Sequence, residues 1–192
     1  MRATTALLIA AALGGTAGCT STGQVDATAA AVEAVGADET VFVIGVAPAR
    51  TRLAVSPGTV KDGKFHQDAS AAGFQGNPER GFIVAKTPAG KALAITGVHW
   101  VGPGELKLAR PAFVACGGAV TMVFEATTGK VVYLGDLEFD YAEKKLSVKH
   151  QNDLAFARRF VEQNYPGLKG RLEAQKFKVL PAAAECGATR RG

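Results

Sequence analysis

Aromatic residues are scarce in this 192-residue chain, at 7% with a single tryptophan, and charged residues make up only 20%. So low a charge density excludes a disordered polyelectrolyte, and the 47% hydrophobic content can supply a real core. No run approaches the roughly 20 apolar residues that span a bilayer, which excludes a multi-span membrane protein. Histidine is rare: His66, His99 and His150 are scattered, and none lies at a metal-ligand spacing from another. Ser56 and Ser70 have no nucleophile-elbow motif around them, so the hydrolase signature is missing. Gly102-Pro103-Gly104 and Gly117-Gly118 lack the Gly-Lys-Ser/Thr ending that cradles phosphate, and no other motif asks for a cofactor. Basic residues outnumber acidic ones 22 to 17 but are dispersed, with Lys144-Lys145, Arg158-Arg159 and Arg190-Arg191 as the doublets. That pattern describes a solvated surface and not a nucleic-acid patch; anionic lipid headgroups would be its natural counterpart. What is abundant is glycine, with 23 residues, beside 8 prolines. Many turns in a chain long enough for one domain favour β-structure.

The N-terminus has the form of an export signal over 1–18. Arg2 supplies the positive end, residues 6–13 are apolar, Gly14-Gly15 breaks the run, and Thr16-Ala17-Gly18-Cys19 follows. An apolar stretch this short with small residues after it is a processed signal, not a spanning helix. Ala17-Gly18-Cys19 resembles the lipobox of bacterial lipoproteins, in which the cysteine thiol is diacylated and becomes the new N-terminus. Thr16 departs from the leucine usual three residues before that cysteine. Ordinary cleavage after Gly18 would instead leave a free secreted protein. By the same resemblance, Thr20 where inner-membrane retention uses aspartate implies the outer membrane, facing the periplasm.

Cysteine parity bears on this. Cys19, Cys116 and Cys186 make an odd set, and an odd count in an exported protein is awkward unless one thiol is used elsewhere. With Cys19 lipidated, Cys116 and Cys186 remain as a pair for which a disulfide is expected in an oxidising compartment. The alternative is two unrelated buried thiols. Residues 19–39 are rich in small residues and read as a flexible tether lifting the domain off a membrane.

From residue 40 to 186 the pattern is that of a folded domain. Residues 40–46 form a continuous apolar run suited to a strand buried on both sides. Residues 52–56 alternate and close on Ser56-Pro57-Gly58, and Asp62-Gly63 marks a tight hairpin. Residues 67–80 read as a loop. Strands over 81–86 and 91–98 meet through Thr87-Pro88-Ala89-Gly90, and 119–126 and 130–134 read as a hairpin over Thr127-Thr128-Gly129. Leu137, Phe139 and Tyr141 alternate with Glu138 and Asp140, a strand with one wet face. A strand over 145–149 places Leu146 and Val148 inward. Leu154, Ala157, Phe160 and Val161 then fall on one helical face, capped by Asn152 or Asp153 and stopped by Pro166-Gly167. Residues 168–175 add a short turn, 176–180 form a closing strand, and 187–192 are a frayed tail. The expected fold is therefore mainly β: an antiparallel β-sandwich of about eight strands with one C-terminal α-helix. Its core should include Phe42, Ile44, Phe82, Val84, Leu93, Ile95, Val120, Met122, Phe124, Val132, Leu134, Leu137, Phe139 and Phe160.

Residues 82–96, with their Pro88-Ala89-Gly90-Lys91 turn, resemble the strand–turn–strand unit of small uncharacterised bacterial lipoproteins with a transthyretin-like, carboxypeptidase-regulatory-like β-sandwich. Residues 124–136, ending in Tyr133-Leu134-Gly135-Asp136, are similar to a second signature of theirs. The resemblance implies a fold and an envelope location and carries no catalytic residues. Gly135 has a physical reading besides: it lets the strand bend or bulge.

Three site readings follow. Asp136, Glu138 and Asp140 point one way on a strand and could hold Ca²⁺; the alternative is an exposed face neutralised by Lys144, Lys145 and Lys149. His99-Trp100, beside the 101–104 turn, could present a binding surface, or Trp100 could be core. With no cluster of nucleophile, base and metal ligand, the expectation is a non-enzymatic, lipid-anchored envelope module that binds another envelope protein or cell-wall material. The alternative is an envelope hydrolase or carbohydrate-active enzyme using scattered carboxylates.

Overall fold

A computed structural model describes residues 22–25, 35–100, 111–142, 145–168 and 170–186. The first half of the domain carries β1 (Gly23–Gln24), β2 (Glu39–Ala47), β3 (Thr51–Lys61), β4 (Lys64–Gln67), β5 (Phe74–Gly76) and β6 (Phe82–Pro88). Next come β7 (Ala92–Trp100), β8 (Phe113–Val114), β9 (Val120–Glu125), β10 (Val131–Ala142) and β11 (Lys145–Gln151). Helix α1 (Leu154–Asn164), a 3-10 turn (Pro166–Leu168), β12 (Leu172–Ala174) and β13 (Lys178–Pro181) complete it. Among the described residues the protein is thus mainly β, with a single α-helix near the C-terminal end. Among the described residues thirteen strands stand where about eight were expected, because segments of two or three residues at β1, β5, β8 and β12 also pair. One of these, β5, lies inside the stretch expected to be loop.

The strands form two sheets. One has the order β1-β6-β2-β10-β11, with β12 also on β10; the other runs β13-β9-β7-β3-β4, with β5 on β3 and β8 on β7. Pairing is antiparallel except where β10 runs parallel to β2 and to β12. Between the sheets lies the main core, including Phe42, Ile44, Leu53, Leu93, Phe124, Leu134 and Leu137. The outer face of the first sheet is covered by α1, which buries Ala157 and Val161 there, and Val41, Val43, Val84 and Tyr133 form a second core beneath it. This third layer is why β2 reads as continuously apolar: its even positions face one core and its odd positions the other. Asp153 caps α1, its carboxylate accepting from the Phe156 N–H at 2.9 Å.

Several local expectations are corrected. The Thr127-Thr128-Gly129 turn after β9 does not make the expected hairpin, since it connects strands of different sheets, as does the turn after β6. Asp62-Gly63, with φ of 50° and 70°, does turn a hairpin, between β3 and β4. Strand β3 runs straight through Ser56-Pro57-Gly58. Pro57 is tolerated because β5 pairs only with residues 53–55 and β4 only with 58–61, so no N–H is needed between them. Val120, expected in the core, is 58% exposed, and Val148 is also exposed. Both line the open flank of the sandwich, where Ile95, Val98, Phe113 and Met122 border an apolar cavity of about 170 Å³. Met122, Leu146 and Phe160 are partly buried against the two cores, and the rest of the expected core list is buried.

The segment read as a free tether is docked where it is described. Gly23 and Gln24 pair with Lys86 and Ala85, the Val25 N–H donates to the Val84 carbonyl at 2.8 Å, and Val35 is buried. The edge of β6 offers unpaired backbone groups, and even a chain of small residues can satisfy them.

Candidate functional site

The local chemistry of the site begins with a slip in strand parity. Along β10, Val132 and Leu134 face the sandwich core, while Val131 and Tyr133 face the helix. Pairing with β2 shifts register between Tyr133 and Asp136, and Gly135 sits in the slip at φ +98°. A conformation of this kind favours glycine, and the added residue makes a bulge. Beyond it Leu137 and Phe139 take over the core side, so Asp136 emerges on the same face as Tyr133. His150 closes the bulge, with Nε2 at 2.9 Å from the Leu134 carbonyl oxygen.

Asp136 then lies over Gly45 of β2. A Cβ at position 45 would stand 1.9 Å from the Asp136 carboxylate, so only glycine leaves it room. The buried Tyr133 hydroxyl lies beside this carboxylate and accepts from the Asp153 N–H at 3.3 Å. Burial first, and then the neighbouring Asp136 carboxylate, push the Tyr133 pKa above its usual range, so the hydroxyl stays protonated.

Around Asp136 opens a groove of about 360 Å³, floored by Gly45, Gly81 and Leu137 and walled by Arg80, Glu138, Asp153 and Phe156. Phe156 is 51% exposed on the first turn of α1, leans on Phe82 with ring centroids 5.7 Å apart, and has the Arg159 guanidinium 5.8 Å from its own centroid. Arg80 adopts φ +52° and donates to the Asn164 side chain. Three carboxylates and one guanidinium therefore line a groove with an aromatic wall. Such a surface can bind a ligand bearing both apolar and cationic groups.

Asp136, Glu138 and Asp140 do share one face, as strand periodicity requires, but they are spread along it. Only Asp136 and Glu138 reach the groove; Lys149 lies 3.9 Å from Glu138. Among the described residues no group of three His, Cys, Asp or Glu side chains is placed to hold a metal ion. His99 and Trp100 end β7 opposite Arg52 and Thr51, in the other sheet. Both are half-buried, so Trp100 is neither free surface nor full core. The residues that follow it, 101–110, and the lipidation candidate Cys19 lie outside the described residues.

Cys116 and Cys186 form a disulfide, with Cα atoms 5.0 Å apart. It does not hold the helix, which packs on the other sheet. Instead it fastens β13 to the start of β9, where the Gly117 and Gly118 N–H groups donate to Ala184 and Ala182. That is the sheet opposite α1.

Sequence reasoning missed Arg80, Phe82 and Phe156 as site residues and saw Asp153 only as a cap. No sequence signal ties these residues together; the parity slip at Gly135 concerns only the outward turn of Asp136. The chain matches no protein-family model, no curated protein and no solved structure.

Proposed function

We propose that this chain is a lipid-anchored envelope protein whose sandwich presents the Arg80–Asp136–Phe156 groove to a partner, another envelope protein or cell-wall material, without catalysing a reaction. The observation that carries the reading is Ala17-Gly18-Cys19 a few residues after a short apolar run. The pairing of the other two cysteines supports it, because it leaves Cys19 as the odd thiol. The two-sheet sandwich has the architecture that the resemblance to small bacterial lipoproteins implied. Cys19→Ala is expected to abolish palmitate labelling and move the protein from the membrane to the soluble fraction. Retention in the detergent phase of a phase-partition assay would defeat the anchor.

A second reading has one observation in its favour: Asp136, Glu138 and Asp153 line a single groove. Each already serves the fold or a neighbour, Asp136 under the Tyr133 hydroxyl, Asp153 as helix cap and Glu138 beside Lys149. Binding is therefore preferred to carboxylate hydrolysis. Turnover of cell-wall polymer by the purified domain, lost in Asp136→Asn with the fold intact, would reverse that preference.

A further inference from the structure

The direction of β1 carries an inference about how the domain meets the membrane; it rests on the lipid anchor at Cys19. Strand β1 runs antiparallel to β6, with Gly23 opposite Lys86, and the Thr22 hydroxyl lies 3.0 Å from that of Thr87. Going backward from Thr22, the chain therefore leaves the sheet past Pro88, at the end where β6 turns into β7. Cys19 is only three residues further, within about 11 Å even if fully extended. The start of β2 belongs to the same end, since Glu39 is opposite Pro88. So does the β3–β4 hairpin, which continues beyond the last β3–β7 partner pair, Gly58 and Ala92.

The chemistry of this end suits a polar bilayer surface. Lys86, Lys91, Lys130 and Lys178 are each paired with a carboxylate, of Glu39, Asp68, Glu173 and Glu125. At the hairpin tip Lys61 and Lys64 are exposed and have no ion pair among the described residues, which leaves them to lipid headgroups. The groove lies at the opposite end. Gly45, in its floor, is opposite Phe82, and six residues of β2 separate it from Glu39, a rise of roughly 20 Å.

We infer that the domain stands on the membrane surface by its β6–β7 and β3–β4 end, held close by the short link from Cys19 to β1, and turns the groove away from the bilayer.

The test uses the full lipidated protein, reconstituted in phosphatidylethanolamine/phosphatidylglycerol vesicles containing nitroxide-headgroup lipid. Single cysteines are introduced at exposed sites near the two ends, Lys91→Cys and Glu138→Cys, and labelled with a fluorophore; the disulfide and the acylated Cys19 leave no other thiol. Most of the fluorescence is expected to be lost at 91 and almost none at 138. In Val25→Pro, which removes the N–H bonded to Val84, flotation with vesicles should persist while the contrast between the sites shrinks. Equal or reversed quenching in protein that floats would overturn the orientation and leave the anchor standing. An undiminished contrast in Val25→Pro would overturn the role of β1. Failure of the unaltered protein to float would remove the anchor, and the orientation with it.

Discussion

Gly135→Ala is expected to lower stability by about 3 kcal/mol or more, among the largest effects of any single methyl group in this domain. Two costs combine. The residue sits at φ +98°, and a Cβ there would lie 2.1 Å from His150 Nε2 and 2.6 Å from the Gln151 carbonyl oxygen. The first contact can be relieved by moving a side chain; the second cannot, because it is backbone of the adjacent strand β11. Relief would shift β11 or undo the bulge, and undoing the bulge would turn Leu137 and Phe139 out of the core. Gly63→Ala is the control: φ is +70° but the space is open, so about 1 kcal/mol is expected. Urea unfolding followed by tryptophan fluorescence measures both. A Gly135→Ala variant as stable as the original protein would show that the bulge does not set the parity of β10.

Replacing Cys116 and Cys186 together by serine should cost about 4 kcal/mol in the chain-entropy account. The bond closes a loop with a sequence separation of 70 residues, which is long enough to restrict the unfolded chain strongly. The loss should also be local. Strand β13 depends on β9 and on the Ala182 N–H bond to the Ala119 carbonyl, so amide exchange at Ala182 should accelerate first. Protection in α1 should hold in mild denaturant, because the helix packs on the other sheet. Simultaneous loss of protection in α1 and β13 would contradict this division of the domain.

These two residue sets show what could be read in advance. The cysteine pair was legible from parity, and Gly135 as a bend or bulge from a glycine inside a strand. Strand β2, helix α1 and a cap at Asn152 or Asp153 were legible because burial and periodicity are local properties of a sequence. Sheet membership was not. Thr127-Thr128-Gly129 and Pro88-Ala89-Gly90 report that the chain reverses, and a reversal can equally close a hairpin or arch between two sheets. Val120 was misjudged for a similar reason: its position on β9 alternates with the core, but the sandwich is open at that flank. The groove could not be read at all, since it gathers Gly45, Arg80, Asp136 and Phe156 from four distant stretches. Nor could the docking of β1, because its residues lack any apolar pattern and are held by the backbone of β6.

Intact mass of the protein extracted from membranes tests for an anchor at Cys19 on a disulfide-closed sandwich. The expected chain begins at Cys19, carries a diacylglyceryl group and takes up no alkylating agent until it is reduced, after which Cys116 and Cys186 each take up one. A chain that begins elsewhere, or begins at Cys19 without lipid and with an alkylatable thiol, would contradict it.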